Sequence, residues 1–153
     1  MQLKDRIVVK IGSSAFGGDG VGRADNFVVF VPFAAPGDKL EIEITQRKKK
    51  FARGKILKII RPSETRMEPL CRYYKKCGGC CYQHIDYETQ RSIKKKQVID
   101  AFEKIGGVVA PPVREVIASP QMYHYRGKAQ LHALENANGV QFGFMAVSYT
   151  HLT

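Results

Sequence analysis

Lys39-Leu40-Glu41-Ile42-Glu43-Ile44-Thr45 alternates polar and apolar residues with a period of two. Successive side chains of an extended strand point to opposite faces, so this stretch predicts a strand with Leu40, Ile42 and Ile44 buried and the other face wet. Outward from it the pattern repeats. Arg6-Ile7-Val8-Val9-Lys10-Ile11 is a short β-branched run, and Asn26 to Pro32 is a strongly apolar strand. Between them, Gly12-Ser13-Ser14 and the glycine-rich stretch Phe16 to Arg23 read as turn. Pro36-Gly37-Asp38 turns the chain into the alternating strand, Gln46 to Lys50 is a basic connector, and Phe51 to Ile60 is a further strand. About five short strands at this spacing predict a small closed barrel of the OB type over residues 1–62.

A second module is expected over residues 63–146. Pro62-Ser63 opens a linker that runs through Pro69, and residues 70–86 hold all four cysteines. Tyr87 to Ile105 reads as a helix, capped by Asp86 and ended by Gly106-Gly107. Ile93, Val98, Ile99, Phe102 and Ile105 fall on one broad face, with the lysines Lys94, Lys95 and Lys96 mostly off it. Pro111-Pro112 separates the helix from Val113 to Ala118. Tyr125 to Leu134 and Val140 to Met145 predict a hairpin turning at Asn136-Ala137-Asn138-Gly139. The fold class expected is mainly β with one helix, an α+β chain. A lone hairpin with no covering element is not a stable unit, so the chain is expected to be a fragment. Val147 to Thr153 does not continue the alternation and is expected to be a non-native tail.

The chain of 153 residues carries 25 Lys and Arg against 14 Asp and Glu, a formal net charge of +11. The excess sits in the first two-thirds: residues 1–60 hold 12 basic and 6 acidic groups, whereas residues 107–153 hold 3 and 2. Such a balance suits a polyanionic partner, nucleic acid or an anionic surface. No apolar run is long enough to span a bilayer, and the opening Met1-Gln2-Leu3-Lys4-Asp5-Arg6 is no secretory signal. A cytoplasmic location without membrane association is expected, and no protein partner is implied.

Cys71, Cys77, Cys80 and Cys81 lie within eleven residues. A disulfide framework spreads its cysteines to close loops, so this cluster points to a metal or redox site in a reducing compartment. The glycines of Cys77-Gly78-Gly79-Cys80 let both sulfurs face one point and leave backbone amides free to donate to sulfur. Three thiolates suit zinc or an iron–sulfur cluster. Cys81 is a poor fourth ligand beside Cys80, and His84 a better one. Spacing alone favours a Cys3His zinc site of Cys71, Cys77, Cys80 and His84 over a cluster, and a stand-alone RNA-binding module with that structural zinc is the alternative function.

Several stretches in order decide between them: Gly17-Gly18-Asp19-Gly20-Val21-Gly22-Arg23, Val29-Phe30-Val31-Pro32, Pro36-Gly37-Asp38, Pro62-Ser63, Arg66, and Pro69-Leu70-Cys71 through Cys77-Gly78-Gly79-Cys80. They continue with Gln83-His84-Ile85, Tyr87, Gln90, Lys96, Tyr125-Arg126, Lys128-Ala129-Gln130 and Phe142-Gly143-Phe144. Together they resemble the N-terminal part of the bacterial 23S rRNA (uracil-5-)-methyltransferases. The resemblance implies an OB-like TRAM barrel that binds RNA, followed by an incomplete α/β domain holding a [4Fe–4S] cluster. It implies Cys71, Cys77 and Cys80 as cluster ligands, with the fourth outside this chain, and His84 as a packed or hydrogen-bonding neighbour. Cys81 and Gly127 depart from the family pattern, which leaves Cys81 a free or buried thiol.

The chemistry implied is transfer of a methyl group from S-adenosylmethionine to uracil C5. A cysteine thiolate adds to C6 and a carboxylate removes the C5 proton. Those groups and the cofactor site belong to the family's C-terminal domain, so no catalytic residue is assigned here and this chain alone is expected to be inactive. RNA contacts are expected from Lys48, Lys49, Lys50, Phe51 and Arg53 on a turn of the barrel, and from Tyr125, Arg126 and Lys128. Basic groups hold phosphates and aromatic rings stack on unpaired bases. A nucleotide-binding P-loop is excluded, because no Gly-Lys-Ser/Thr follows the glycines.

Overall fold

A computed structural model describes residues 1–137 and 139–145. The proposed tail, Val147 to Thr153, and the turn residue Asn138 lie outside the described residues. The first five strands are β1 (Arg6–Ser14), β2 (Gly20–Ala24), β3 (Phe27–Val31), β4 (Lys39–Arg47) and β5 (Phe51–Arg61). They close into a barrel in the order β1-β2-β3-β5-β4, with β4 returning to pair β1. All pairs are antiparallel except β3 with β5. Register shifts between Ile11 and Ser13 and at three places along β4 let so few strands coil into a closed surface.

The alternation reads through into the packing. Leu40, Ile42 and Ile44 of β4 are buried with Val9, Ile11, Val29 and Val31 in one core cluster. Burying a side chain of that size stabilises by roughly 1.5–3 kcal/mol.

One strand departs from expectation. Gly20 to Arg23, read as turn, belongs to β2. The glycines mark close approach: a Cβ on Gly20 would stand 2.7 Å from Ala34 Cβ, and one on Gly22 only 2.4 Å from Val9 Cγ2. They are the narrow side of the barrel, where neighbouring elements leave no room for a side chain.

The barrel is latched to the linker that leads into the cysteine segment by a buried ion pair. Asp38 is fully buried, and its carboxylate accepts from Arg66 at 2.6 and 3.1 Å, from Ala35 N–H at 2.7 Å and from Ser63 N–H at 2.9 Å. The same guanidinium donates to the Phe33 carbonyl at 2.9 Å. Burial alone would raise the Asp38 pKa. The Arg66 hydrogen bond, the two backbone donors and the guanidinium charge outweigh it and hold the carboxyl below its ordinary value.

Helix α1 (Tyr87–Lys104) starts where expected: the Asp86 carboxylate accepts from Thr89 N–H at 2.8 Å and from its hydroxyl at 2.7 Å. Gly106 N–H and Val108 N–H close its end on the carbonyls of Ala101 and Phe102. The expected broad apolar face is only partly covered. Ile93 is buried with Ala35 and Ile85, whereas Val98, Phe102 and Ile105 are exposed. Gln97 ties the helix to the barrel by donating to the Ala15 carbonyl at 2.9 Å.

The hairpin is shorter than its pattern. β6 (His132–Asn136) pairs β7 (Gly139–Gly143), and the stretch from Tyr125 to Leu131 is irregular. Among the described residues no helix is long and apolar enough to cross a membrane.

Candidate nucleic-acid interface

β4 and β5 are joined by Lys48, Lys49 and Lys50, all exposed, in a turn closed by Lys48 N–H on the Phe51 carbonyl at 2.9 Å. The sequence-predicted basic run therefore stands at one tip of the barrel. Because Val29 and Val31 fill the core, Phe30 must face outward, and parallel pairing of β3 with β5 sets it beside Phe51 and Arg53. The Phe30 and Phe51 rings meet edge to face, with centroids 5.7 Å apart at 85°. The Arg53 guanidinium lies 5.9 Å from the Phe30 centroid and pairs with Asp19 at 2.8 Å. Arg47, at the end of β4, lies 5.1 Å from the Phe27 centroid.

Two rings and several cations therefore share one outer surface. Phe51 is not a free aromatic, since its ring is half-buried against Phe30. Arg53 is not a free cation, since an anionic ligand must displace Asp19. Phe30 is the residue that sequence reasoning missed. Its signal was the same period of two: with Val29 and Val31 inward, the ring between them faces outward.

Tyr125, Arg126 and Lys128 are exposed but lie outside the hairpin strands. Tyr125 borders a cleft of about 340 Å³ with Tyr87, Gln90, Arg91 and Lys94 of α1, and no barrel residue lines it. The structure does not add this cluster to the barrel surface.

The cysteines are free thiols, with Cys77 half-buried and the other three exposed. Among the described residues no group of three or more His, Cys, Asp or Glu side chains is placed to hold a metal ion. Cys71 borders a cleft with Arg66, Tyr74 and His84, whereas Cys80 and Cys81 border another with Gly17, Gly18, Asp19 and Arg53. The donor chemistry nonetheless suits a thiolate-held group: no disulfide occupies the sulfurs, and Gly79 N–H donates to Cys77 Sγ at 3.4 Å.

His84 is buried, with Nδ1 2.5 Å from the Tyr74 hydroxyl and its ring against Phe33 and Tyr74. Burial first, then the nearby Arg66 charge, pushes its pKa down to about 4. It is a packed neutral imidazole, not part of an assembled Cys3His set. Tyr74 donates to the Cys81 carbonyl at 3.0 Å, and burial raises its phenol above the ordinary value. The Cys81 residue is exposed overall, but packing against Gly18 partly desolvates its thiol and pushes it up, with the neighbouring Cys80 and Asp19 adding to the shift.

Residues 5–57, the barrel almost in full, match the TRAM domain family. The chain carries a TRAM domain. It is also homologous to RNA methyltransferases over most of its length. An uncharacterized RNA methyltransferase of Synechocystis sp. is 43% identical over 128 residues, which is 83% of this chain and 28% of that protein. The 23S rRNA (uracil(1939)-C(5))-methyltransferase RlmD of Shewanella halifaxensis is 36% identical over 149 residues, 96% of this chain and 33% of that protein. A solved structure, the tRNA (uracil-54, C5)-methyltransferase of Pyrococcus abyssi with S-adenosyl-L-homocysteine, is 29% identical, covering 74% of this chain and 24% of that one at a TM-score of 0.48. The chain thus spans about a third or less of the length of the curated relatives named here.

Proposed function

We propose that this chain is the RNA-holding part of an S-adenosylmethionine-dependent 23S rRNA uracil-C5 methyltransferase. The observation that carries the reading is the TRAM barrel with Lys48, Lys49 and Lys50 at its tip and the Phe30–Phe51–Arg53 surface beside them. That surface joins cations for phosphates to ring faces for unpaired bases. The relative named as a 23S rRNA uracil-C5 methyltransferase supports the substrate and the methyl transfer. The exposed apolar residues of α1, Val98, Phe102 and Ile105, support a further domain that covers them in the full-length protein.

Within that reading Cys71, Cys77 and Cys80 supply three thiolates to an iron–sulfur cluster. Such a group, when bound, supplies a redox-active centre that also cross-links its ligands. The chain's own contribution is the free thiols and the Gly79 amide aimed at Cys77. Iron and acid-labile sulfide counted per chain after anaerobic reconstitution test this, with Cys77→Ser expected to lower both.

The binding claim is tested with fluorescently labelled single-stranded RNA from 23S rRNA. Replacing Lys48, Lys49 and Lys50 together by Ala should weaken affinity and flatten the slope of log K against log salt by up to about 2, at about 0.7 per phosphate contact. An unchanged slope would assign the lysines to solvated surface. The methyl-transfer claim is tested by labelled S-adenosylmethionine on 23S rRNA. The full-length protein should transfer methyl groups and the 153-residue chain none.

A further inference from the structure

The outer face of β1, β4 and β5 carries its charges in rows, one residue from each strand. Arg6, Glu43 and Lys55 form one row, with Lys55 Nζ 2.7 Å from the Glu43 carboxylate. Val8, Glu41 and Lys58 form the next. In both an acidic residue on the middle strand faces a cation, the arrangement that stabilises neighbouring strands. The row at the far end breaks the pattern. Lys10 stands opposite Lys39, and Lys39 opposite Arg61: three cations across three strands. Like charges directly opposite one another are destabilising, so the row carries a cost that the fold does not need. All three side chains line one open cleft of about 480 Å³, together with Gly37, Ser63 and Thr65. The cleft's only carboxylate is that of exposed Glu64, and none of the three cations has an ion pair among the described residues.

We propose that the Lys10–Lys39–Arg61 row is a second phosphate-binding site for the RNA backbone. The inference rests on the RNA-binding reading and extends it to the opposite end of the barrel. Lys39 begins β4 and Lys48 follows its end. At about 3.3 Å per residue the two basic sites lie at most roughly 30 Å apart along the coiled strand. An OB-type barrel engages strands of about 4–16 nucleotides, long enough for one strand to reach both ends. The row then sets the direction in which RNA leaves the Phe30–Phe51 surface.

The test uses the 153-residue chain and a single-stranded RNA of roughly 20 nucleotides, longer than a single OB site. Fluorescence anisotropy is read from ~50 to ~200 mM salt. Replacing Lys10, Lys39 and Arg61 together by Gln should lower the salt slope by about 2. Its deficit against wild type should then shrink about 15-fold across that range. The thermal midpoint should hold or rise, since a repulsion has been removed. Glu64→Gln, which keeps every cation, should tighten binding, and unchanged or weaker binding counts against the site.

An unchanged slope in the triple variant, with the Lys48–Lys50 variant still flattened, overturns the inference and leaves the RNA reading standing. Wild-type chain that shows no salt-dependent RNA binding overturns both. Loss of binding to phosphatidylserine vesicles in the triple variant, with RNA affinity unchanged, overturns the inference and assigns the row to an anionic lipid surface.

Discussion

Arg66→Ala is the substitution with the largest effect that the geometry dictates. The guanidinium makes three hydrogen bonds, two to the Asp38 carboxylate at 2.6 and 3.1 Å and one to the Phe33 carbonyl at 2.9 Å. Removing it leaves a fully buried carboxylate with only the Ala35 and Ser63 amides as donors. Breaking a buried pair from one side costs about 3–5 kcal/mol, because the remaining charge stays desolvated. Against a total of about 5–15 kcal/mol for a natural domain, that is a large share. Urea denaturation followed by far-UV circular dichroism at neutral pH should show it as a lowered midpoint. Arg66→Lys should recover only part, since an ammonium cannot present the bidentate fork. The acid side supplies an independent check. The Asp38 pKa is held down in the fold, so its contribution is present above the unfolded carboxylate value and lost as pH falls through the folded one. Without Arg66, burial acts unopposed by the guanidinium and the loss should move to higher pH. A cost below about 1 kcal/mol, the range of an exposed pair, would refute the description of Asp38–Arg66 as a buried latch.

Three further outcomes follow from the same packing. His84 has its pKa lowered to about 4. Relative to an unfolded value of about 6.5, its neutral form contributes stability above that pH, and about 3 kcal/mol is lost as pH falls towards 4; the difference between wild type and His84→Leu in urea titrations at several pH values should show that slope. Gly22→Ala places a Cβ 2.4 Å from Val9 Cγ2 and 2.8 Å from the Lys10 carbonyl; it should destabilise the barrel by about 1–3 kcal/mol in thermal unfolding, and an unchanged midpoint would show that β1 and β2 separate freely. Phe30→Ala removes one of the two rings of the proposed stacking surface and should weaken single-stranded RNA binding by about 1–3 kcal/mol at constant salt slope, measured by the same anisotropy titration.

How much of this was legible in the sequence depends on which physical signal each element leaves. β4 was legible because alternation records a two-sided environment, one face dry and one wet, and the chain meets it residue by residue. β2 was not, because Gly20 and Gly22 report crowding by Ala34 and Val9, which come from elsewhere in the chain. Glycine chosen for lack of space and glycine chosen for turning look identical in a sequence. Asp86 and Gly106 gave the ends of α1 because caps are local hydrogen bonds. Its face was read only in part: the described residues cover Ile93 and leave Val98, Phe102 and Ile105 exposed.

The charge rows show the same limit from the other side. Lys10, Lys39 and Arg61 lie tens of residues apart, and none stands in a basic run of the kind that drew attention to Lys48, Lys49 and Lys50. Their meaning lies in register, which pairs Lys10 with Lys39 and Lys39 with Arg61 only once the barrel has closed. The local run is the easier signal, yet a turn of lysines is also the commonest way to keep a hairpin tip solvated. Three cations set opposite one another, on a face whose other rows place acids against bases, have no such ordinary explanation. A non-local pattern that opposes the fold's own electrostatics is therefore the stronger argument for a ligand, even though no window of sequence contains it.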